Sequence, residues 1–261
     1  MSDWAIGRLA VGTLFRAISQ SLNLQSPLLT MDSLAVLHAD MRACRRCLDG
    51  GFSIASGAVF SSGSARRVML IGQAPGVTEA QVKRPFNAGS GRRLFQWLGE
   101  AGWDEETFRA EQYMTAVTKC YPGKAANGKG DRVPSKAEQT LCRPFLEQEI
   151  TLVRPRLIIL VGGLAMKLVY PTSTHLEDVI GTAVYFPPES LTSPLNFDLA
   201  TAVPLTNEQL PSFLETAAGD GRFIVPLPHP SGASLWPNKP ENRQRITRAV
   251  TILRHLRQWW Q

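Results

Sequence analysis

The sequence predicts an α/β fold, a three-layer α/β/α sandwich around a central, mostly parallel, four-stranded sheet. Three observations lead there. Four short apolar runs, Val68 to Ile71, Tyr113 to Val117, Leu157 to Val161 and Phe223 to Leu227, have the length and residue types of buried strands. Helical patterns lie between them, such as Leu94, Phe95, Leu98 and Ala101 and the stretch Lys136 to Leu152. Strand and helix in alternation give a parallel sheet with helices on both faces. Each run is also followed at once by residues with chemical potential: Gly72 to Gly76, Lys119 and Cys120, Gly162 and Gly163, and His229 to Ser231. Open parallel sheets bind ligands at the carboxyl ends of their strands, so these distant segments are expected to meet in one cleft.

Taken in order, residues 1–30 read as an appended helical extension, with Ala5, Leu9, Leu14, Ile18 and Leu22 roughly at helical spacing. Arg8, Arg16, Ser19 and Asn23 interrupt any membrane span or signal core there. Residues 31–261 are expected to form the main domain. Leu34, Leu37 and Met41 mark a helix that ends near Cys44 and Cys47, and Ile246, Ala249, Val250, Leu253, Leu256 and Trp260 mark a closing amphipathic helix. The Pro-, Ser- and Thr-rich stretch 186–219 reads as an insertion over the surface.

Of 261 residues, 44% are hydrophobic and 19% charged, an ordinary globular balance. The formal charge of +6 favours an anionic partner. The chain is expected to be cytoplasmic and monomeric, without membrane contact. In reducing surroundings its four cysteines are expected to be metal ligands or free thiols rather than disulfides.

The first strand leads into Gly72, Gln73, Ala74, Pro75 and Gly76, then Glu79, then Arg84, Pro85, Phe86 and Asn87. Small residues let a backbone approach a ligand closely, and amides near a helix start favour anionic oxygens. Alone, this is an ordinary Gly/Pro turn. The last strand leads into His229, Pro230 and Ser231, and a His at a strand end can hydrogen-bond a developing oxyanion. Alone, it is an ordinary structural His. Cys44 and Cys47 form a C-x-x-C pair, while Cys120 and Cys142 flank a loop containing Lys124, Lys129, Arg132 and Lys136. Four thiolates suit zinc or a [4Fe–4S] cluster, and spacing alone does not separate them. The basic loop suits either a phosphate backbone or plain solvent.

Together, the two turns resemble the uracil-DNA glycosylases, particularly the iron–sulfur (family 4) branch. The likeness runs through Gly72 to Gly76, Glu79, Arg84 to Phe86, Gly89, Gly91 and Leu94, then Lys119 and Cys120, Cys142 with Pro144 to Leu146, and His229 to Ser231. The resemblance implies a monofunctional glycosylase that hydrolyses the N-glycosidic bond of uracil or another deaminated base in DNA. It implies a [4Fe–4S] cluster on Cys44, Cys47, Cys120 and Cys142, with zinc the alternative. It places Glu79, His229 and Gln73 in the catalytic set. Gly72, Ala74, Pro75, Gly76, Phe86, Asn87, Ala116 and Ser231 are implied for substrate binding, with Phe86 as stacking platform and the Gln73 and Ala74 amides on base oxygens. An enzyme of this kind flips its base out of the stack, and Leu235 or Trp236 is a candidate to fill the gap.

Three positions depart from the family pattern. Gln73 stands where the branch has Glu, leaving Glu79 as the nearest acid. Ala116 stands where the branch has the uracil-reading Asn, and Thr118 stands where it has Val. Two other readings follow: a catalytically weak DNA-lesion or single-strand binder on the same scaffold, and a small-molecule nucleoside hydrolase.

Overall fold

The structure, a computed structural model, describes residues 27–87, 89–128, 130–217, 219–231 and 235–260, with side chains from residue 33 onward. Residues 1–26, most of the expected N-terminal extension, lie outside the described residues, as do Ala88, Lys129 and 232–234. The helices are α1 (Pro27–Ala43), α2 (Arg46–Asp49), α3 (Val77–Val82), α4 (Gly89–Glu100), α5 (Glu105–Glu111), α6 (Lys136–Val153), α7 (Gly163–Met166), α8 (Leu176–Val179), α9 (Leu210–Leu214) and α10 (Pro240–Trp259). None of them is long and apolar enough to cross a membrane.

The strands are β1 (Val68–Gly72), β2 (Tyr113–Ala116), β3 (Leu157–Val161), β4 (Thr182–Phe186), β5 (Val203–Thr206) and β6 (Arg222–Leu227). They form one sheet in the order β2-β1-β3-β6-β4-β5. The four expected strands are its parallel portion. The expectation of four strands in all is corrected to six, because β4 and β5 add an antiparallel pair beyond β6. Part of the stretch 186–219 is therefore sheet: β5 lies within it and pairs with β4. The expected first helix begins earlier than Met31, at Pro27.

Every residue of β1, β3 and β6 is buried. A strand buried along its whole length needs cover on both faces, which accounts for its unbroken apolar run and for three layers. One helical group packs α10 against β6, β4 and α4, while α1, α2 and α6 pack together elsewhere.

Local chemistry fixes where α6 begins. The Ser135 side chain accepts from the Glu138 N–H at 3.3 Å while Glu138 Oε2 accepts from the Ser135 N–H at 2.8 Å, a reciprocal cap that satisfies two free helix donors. The buried stripe of α6 is Glu138, Cys142, Phe145, Leu146, Glu149 and Ile150. Helical spacing thereby turns one cysteine and two carboxylates inward.

The register aligns the functional loops. Gly72 sits beside Ala116, and Val161 beside Leu227, so β1, β2, β3 and β6 deliver their carboxyl ends to one edge. Beyond the strands, Val117 N–H donates to Gly72 O at 2.9 Å and Gly162 N–H to Leu227 O at 2.9 Å.

Candidate active site

At that edge lies a pocket of about 420 Å³ lined by Val59, Gly72 to Pro75, Glu79, Pro85, Phe86, Ser90, Thr115, Ala116 and His229. It opens into a wider cleft bounded by Gly76, Arg93, Arg132 and Ser231. Residues more than 150 positions apart in sequence thus meet in one hollow.

Phe86 forms one wall in a strained conformation, with φ of +51°, where bulky side chains are rare. Arg109 holds it there, donating from Nη1 to Pro85 O and from Nη2 to Phe86 O, each at 2.8 Å. The ring lies against Gly72, where an added Cβ would fall 2.9 Å from Phe86 Cζ. Glycine is required here by that close approach, and the ring keeps its place in the pocket.

Glu79 lies in the first turn of α3 and accepts the Gly76 N–H at 2.5 Å. The backbone N–H groups of Phe86 and Asn87 also face its carboxylate. Burial raises its pKa above the ordinary carboxylate value, against the pull of these three donors. Asn87 itself is exposed and lines neither the pocket nor the cleft. What it brings to the pocket is the main-chain N–H that faces Glu79.

His229 follows β6 with its ring against Gly162, whose φ of +87° and missing Cβ make room for it. Although the residue keeps an exposed edge, partial desolvation of the imidazole among its neighbours lowers its pKa, favouring the neutral ring. Its Nδ1 faces the Ser231 N–H at 3.2 Å, so Nδ1 accepts and Nε2 holds the proton of the neutral form. Ser231 therefore bounds the cleft and sets the tautomer of its neighbour.

Below the pocket lies a second cavity, of about 470 Å³, lined by all four cysteines together with Met41, Thr118, Leu141 and Phe145. The Lys119 N–H donates to Cys142 Sγ at 3.3 Å. Burial and the neighbouring sulfurs push the Cys47 thiol up to about 11 and the Cys120 thiol up to about 12, and burial raises Cys142 as well. A cavity that disfavours several thiolates in this way is one where a cationic metal centre would relieve their repulsion, so the donor set fits such a centre. Among the described residues, no three His, Cys, Asp or Glu side chains are arranged to hold a single metal ion. The sulfurs instead border a hollow.

Two ion pairs brace the cavity. Arg132 grips Glu138 through both Nη atoms at 2.6 Å, which holds that carboxyl down at about 2. Arg132 is therefore tied into the loop's own fold while still bordering the cleft. Lys119 Nζ meets Glu149 Oε2 at 2.6 Å in full burial, and also donates to Thr115 Oγ1 at 2.8 Å and Ala116 O at 2.6 Å. Tyr113 OH donates to Glu149 Oε1 at 3.0 Å and meets His38 Nε2 at 2.9 Å.

Beyond the cleft, Leu235 is 75% exposed, while Trp236 donates from Nε1 to Glu177 Oε1 at 2.7 Å. Of the two expected plug residues, only Leu235 projects freely. Val59, Arg109, Glu149 and Thr115 escaped the sequence reading. Only Thr115, next to Ala116 at a strand end, offered a signal there.

The family model described as uracil DNA glycosylase superfamily matches residues 60–254. The chain is also similar to three proteins named Type-4 uracil-DNA glycosylase. With that of Sulfurisphaera tokodaii it shares 30% identity over 141 residues, 54% of this chain and 59% of the relative. With that of Pyrobaculum aerophilum the identity is 33% over 118 residues, 44% of this chain and 55% of the relative. With that of Saccharolobus solfataricus it is 30% over 134 residues, 51% of this chain and 56% of the relative. The chain thus spans little more than half the length of these curated relatives. Since the family match runs from Phe60, ahead of β1, to Arg254 in α10 and takes in both turns that build the pocket, the chain belongs to the uracil DNA glycosylase superfamily.

Proposed function

We propose that this chain is a monofunctional DNA glycosylase that hydrolyses the N-glycosidic bond of uracil or another deaminated base. One observation carries the reading: a single pocket joins an aromatic wall at Phe86, the Gln73–Ala74 turn and the His229 imidazole. A base swung out of DNA would lie on the Phe86 ring with its oxygens toward the Gln73 and Ala74 amides. His229, neutral with Nε2 protonated, would donate to the base oxygen on which charge builds as the bond breaks. Glu79, fixed by three backbone donors, would set a negative charge beside the sugar as it becomes cationic. Gln73 cannot ionise, so it would orient the attacking water without deprotonating it.

Ala116 faces this pocket where the related branch offers an amide. Without that group, a mismatched base leaves no buried polar atom unpaired, so discrimination among deaminated bases is relaxed. DNA would reach the cleft past Arg93, with Leu235 entering the vacated stack.

We further propose that Cys44, Cys47, Cys120 and Cys142 hold a [4Fe–4S] cluster with a structural role. When bound, it would tie the segment between Cys120 and Cys142 to the end of α1.

The decisive assay uses oligonucleotides bearing one uracil, hypoxanthine, xanthine or alkylated base, with the native chain, Glu79→Ala and His229→Ala. Free base and an abasic site are expected from the native chain, with sharp losses in both variants. Salt-sensitive DNA binding without base release would establish the binder reading, and cleavage of free deoxyuridine but not DNA the nucleoside hydrolase.

A further inference from the structure

Of the polar side chains around the cysteine cavity, Arg46 donates to Leu141 O, Glu138 is paired with Arg132, and Lys119 with Glu149. Thr118 differs. It is only 5% exposed, and its Oγ1 is buried with no hydrogen-bond partner among the described residues, so none of the four thiols accepts from it. A buried hydroxyl left unpaired is costly and calls for a partner. Water is a poor candidate, because Met41, Ile54, Pro122, Leu141 and Phe145 give this cavity a largely apolar wall with few further partners to offer.

The same residue also reaches the other hollow: Thr118 N–H donates to Gln73 O at 3.3 Å, so a residue that lines the cysteine cavity is bonded to the base-pocket turn.

We infer that Thr118 Oγ1 donates a hydrogen bond to an inorganic sulfide of the cluster, making Thr118 a tuning residue that also ties the cluster to the Gln73 turn. This rests on the cluster reading above. Hydrogen bonds to cluster sulfurs stabilise the added electron and raise the reduction potential. Valine has nearly the shape of threonine but no hydroxyl, so Thr118→Val removes the bond while keeping the packing.

The test uses the anaerobically purified full chain with Thr118→Val, Thr118→Ala and Thr118→Ser, assayed for iron and sulfide. Redox titration gives each midpoint, and resonance Raman spectra in H₂O and D₂O report hydrogen bonds to sulfur in the resting cluster. Native protein and Thr118→Ser should share a midpoint and a D₂O-sensitive Fe–S band. Thr118→Val should keep its iron, shift to a lower midpoint and lose part of the D₂O sensitivity. If valine is not tolerated, Thr118→Ala decides by the same two readouts. Loss of iron in both, with retention in Thr118→Ser, also supports the hydroxyl. Equal midpoints and equal D₂O shifts in an iron-loaded Thr118→Val overturn the inference alone. Native protein without iron overturns the cluster reading and the inference with it.

Discussion

Two hollows flank the end of β2, and they are built on opposite physical terms. The base pocket is shaped by main chain: three backbone N–H groups hold Glu79, two carbonyls tie the Phe86 turn to Arg109, and a missing Cβ at Gly72 seats the ring. The cysteine cavity is framed by ionisable side chains with partners far away in sequence, Lys119 with Glu149 and Arg132 with Glu138, and by thiols that burial keeps protonated. Backbone dipoles hold their direction at any pH, but a buried charge that loses its partner becomes a liability. The first hollow should therefore fail in function when altered, and the second in stability.

The largest effect expected from that contrast is at the buried pair. Lys119→Met leaves Glu149 charged and unpaired, and urea unfolding at pH 7 should show a loss of about 3–5 kcal/mol. Lys119→Met with Glu149→Leu should recover most of it, because an apolar pair removes both desolvation penalties. A single variant as stable as the native chain would erase the distinction between the hollows.

His229→Ala should do the reverse. Single-turnover base release is expected to fall by about 10²–10³ as one oxyanion donor disappears, with the urea midpoint unchanged. Gly72→Ala comes next. Its Cβ presses on Phe86 Cζ, and overpacking of this kind costs about 1–3 kcal/mol; here it should appear mainly as slower base release, with DNA affinity retained in a binding titration. Ala116→Asn sharpens the comparison, since a restored amide adds a hydrogen bond worth about 0.5–1.5 kcal/mol net. Competition between uracil and hypoxanthine substrates should shift toward uracil by up to about tenfold, and an unchanged ratio would show that Ala116 does not face the base.

The gentlest probe is pH. The Glu138 carboxyl sits at about 2, below its usual 4.5, so its contribution to stability is complete above pH 4.5 and drains away as pH falls toward 2. Arg132→Gln should flatten that part of the curve of stability against pH. The His229 imidazole titrates below its usual 6.5, so its neutral form survives acidification through that pH. Base release should therefore fall only as pH drops below that value, and a rate that instead rises on acidification would mean that the cationic imidazole acts.

Much of this was legible in the sequence because it depends on local pattern. The parallel strands announced themselves as apolar runs, and their carboxyl ends collected Gly72 to Pro75, Ala116 and His229 into one pocket. The pair β4 and β5 escaped notice because it lies in and beside a stretch rich in Pro and Ser, although Thr182 to Phe186, bounded by Gly181 and Pro187, has strand composition. Arg109 and Glu149 were out of reach for another reason. An arginine on an amphipathic helix and a glutamate in the charged run Glu147 to Glu149 look like surface residues until the sheet brings partners from 23 and 36 positions away.

Strand β5 ends the sheet with four residues, and Pro204 sits among them opposite Val184. A proline nitrogen has no hydrogen to offer, so a further strand laid along this rim would find an interrupted ladder. Short and broken in this way, the outer border discourages edge-to-edge aggregation, and Pro204→Val would remove that safeguard during expression and storage at high concentration.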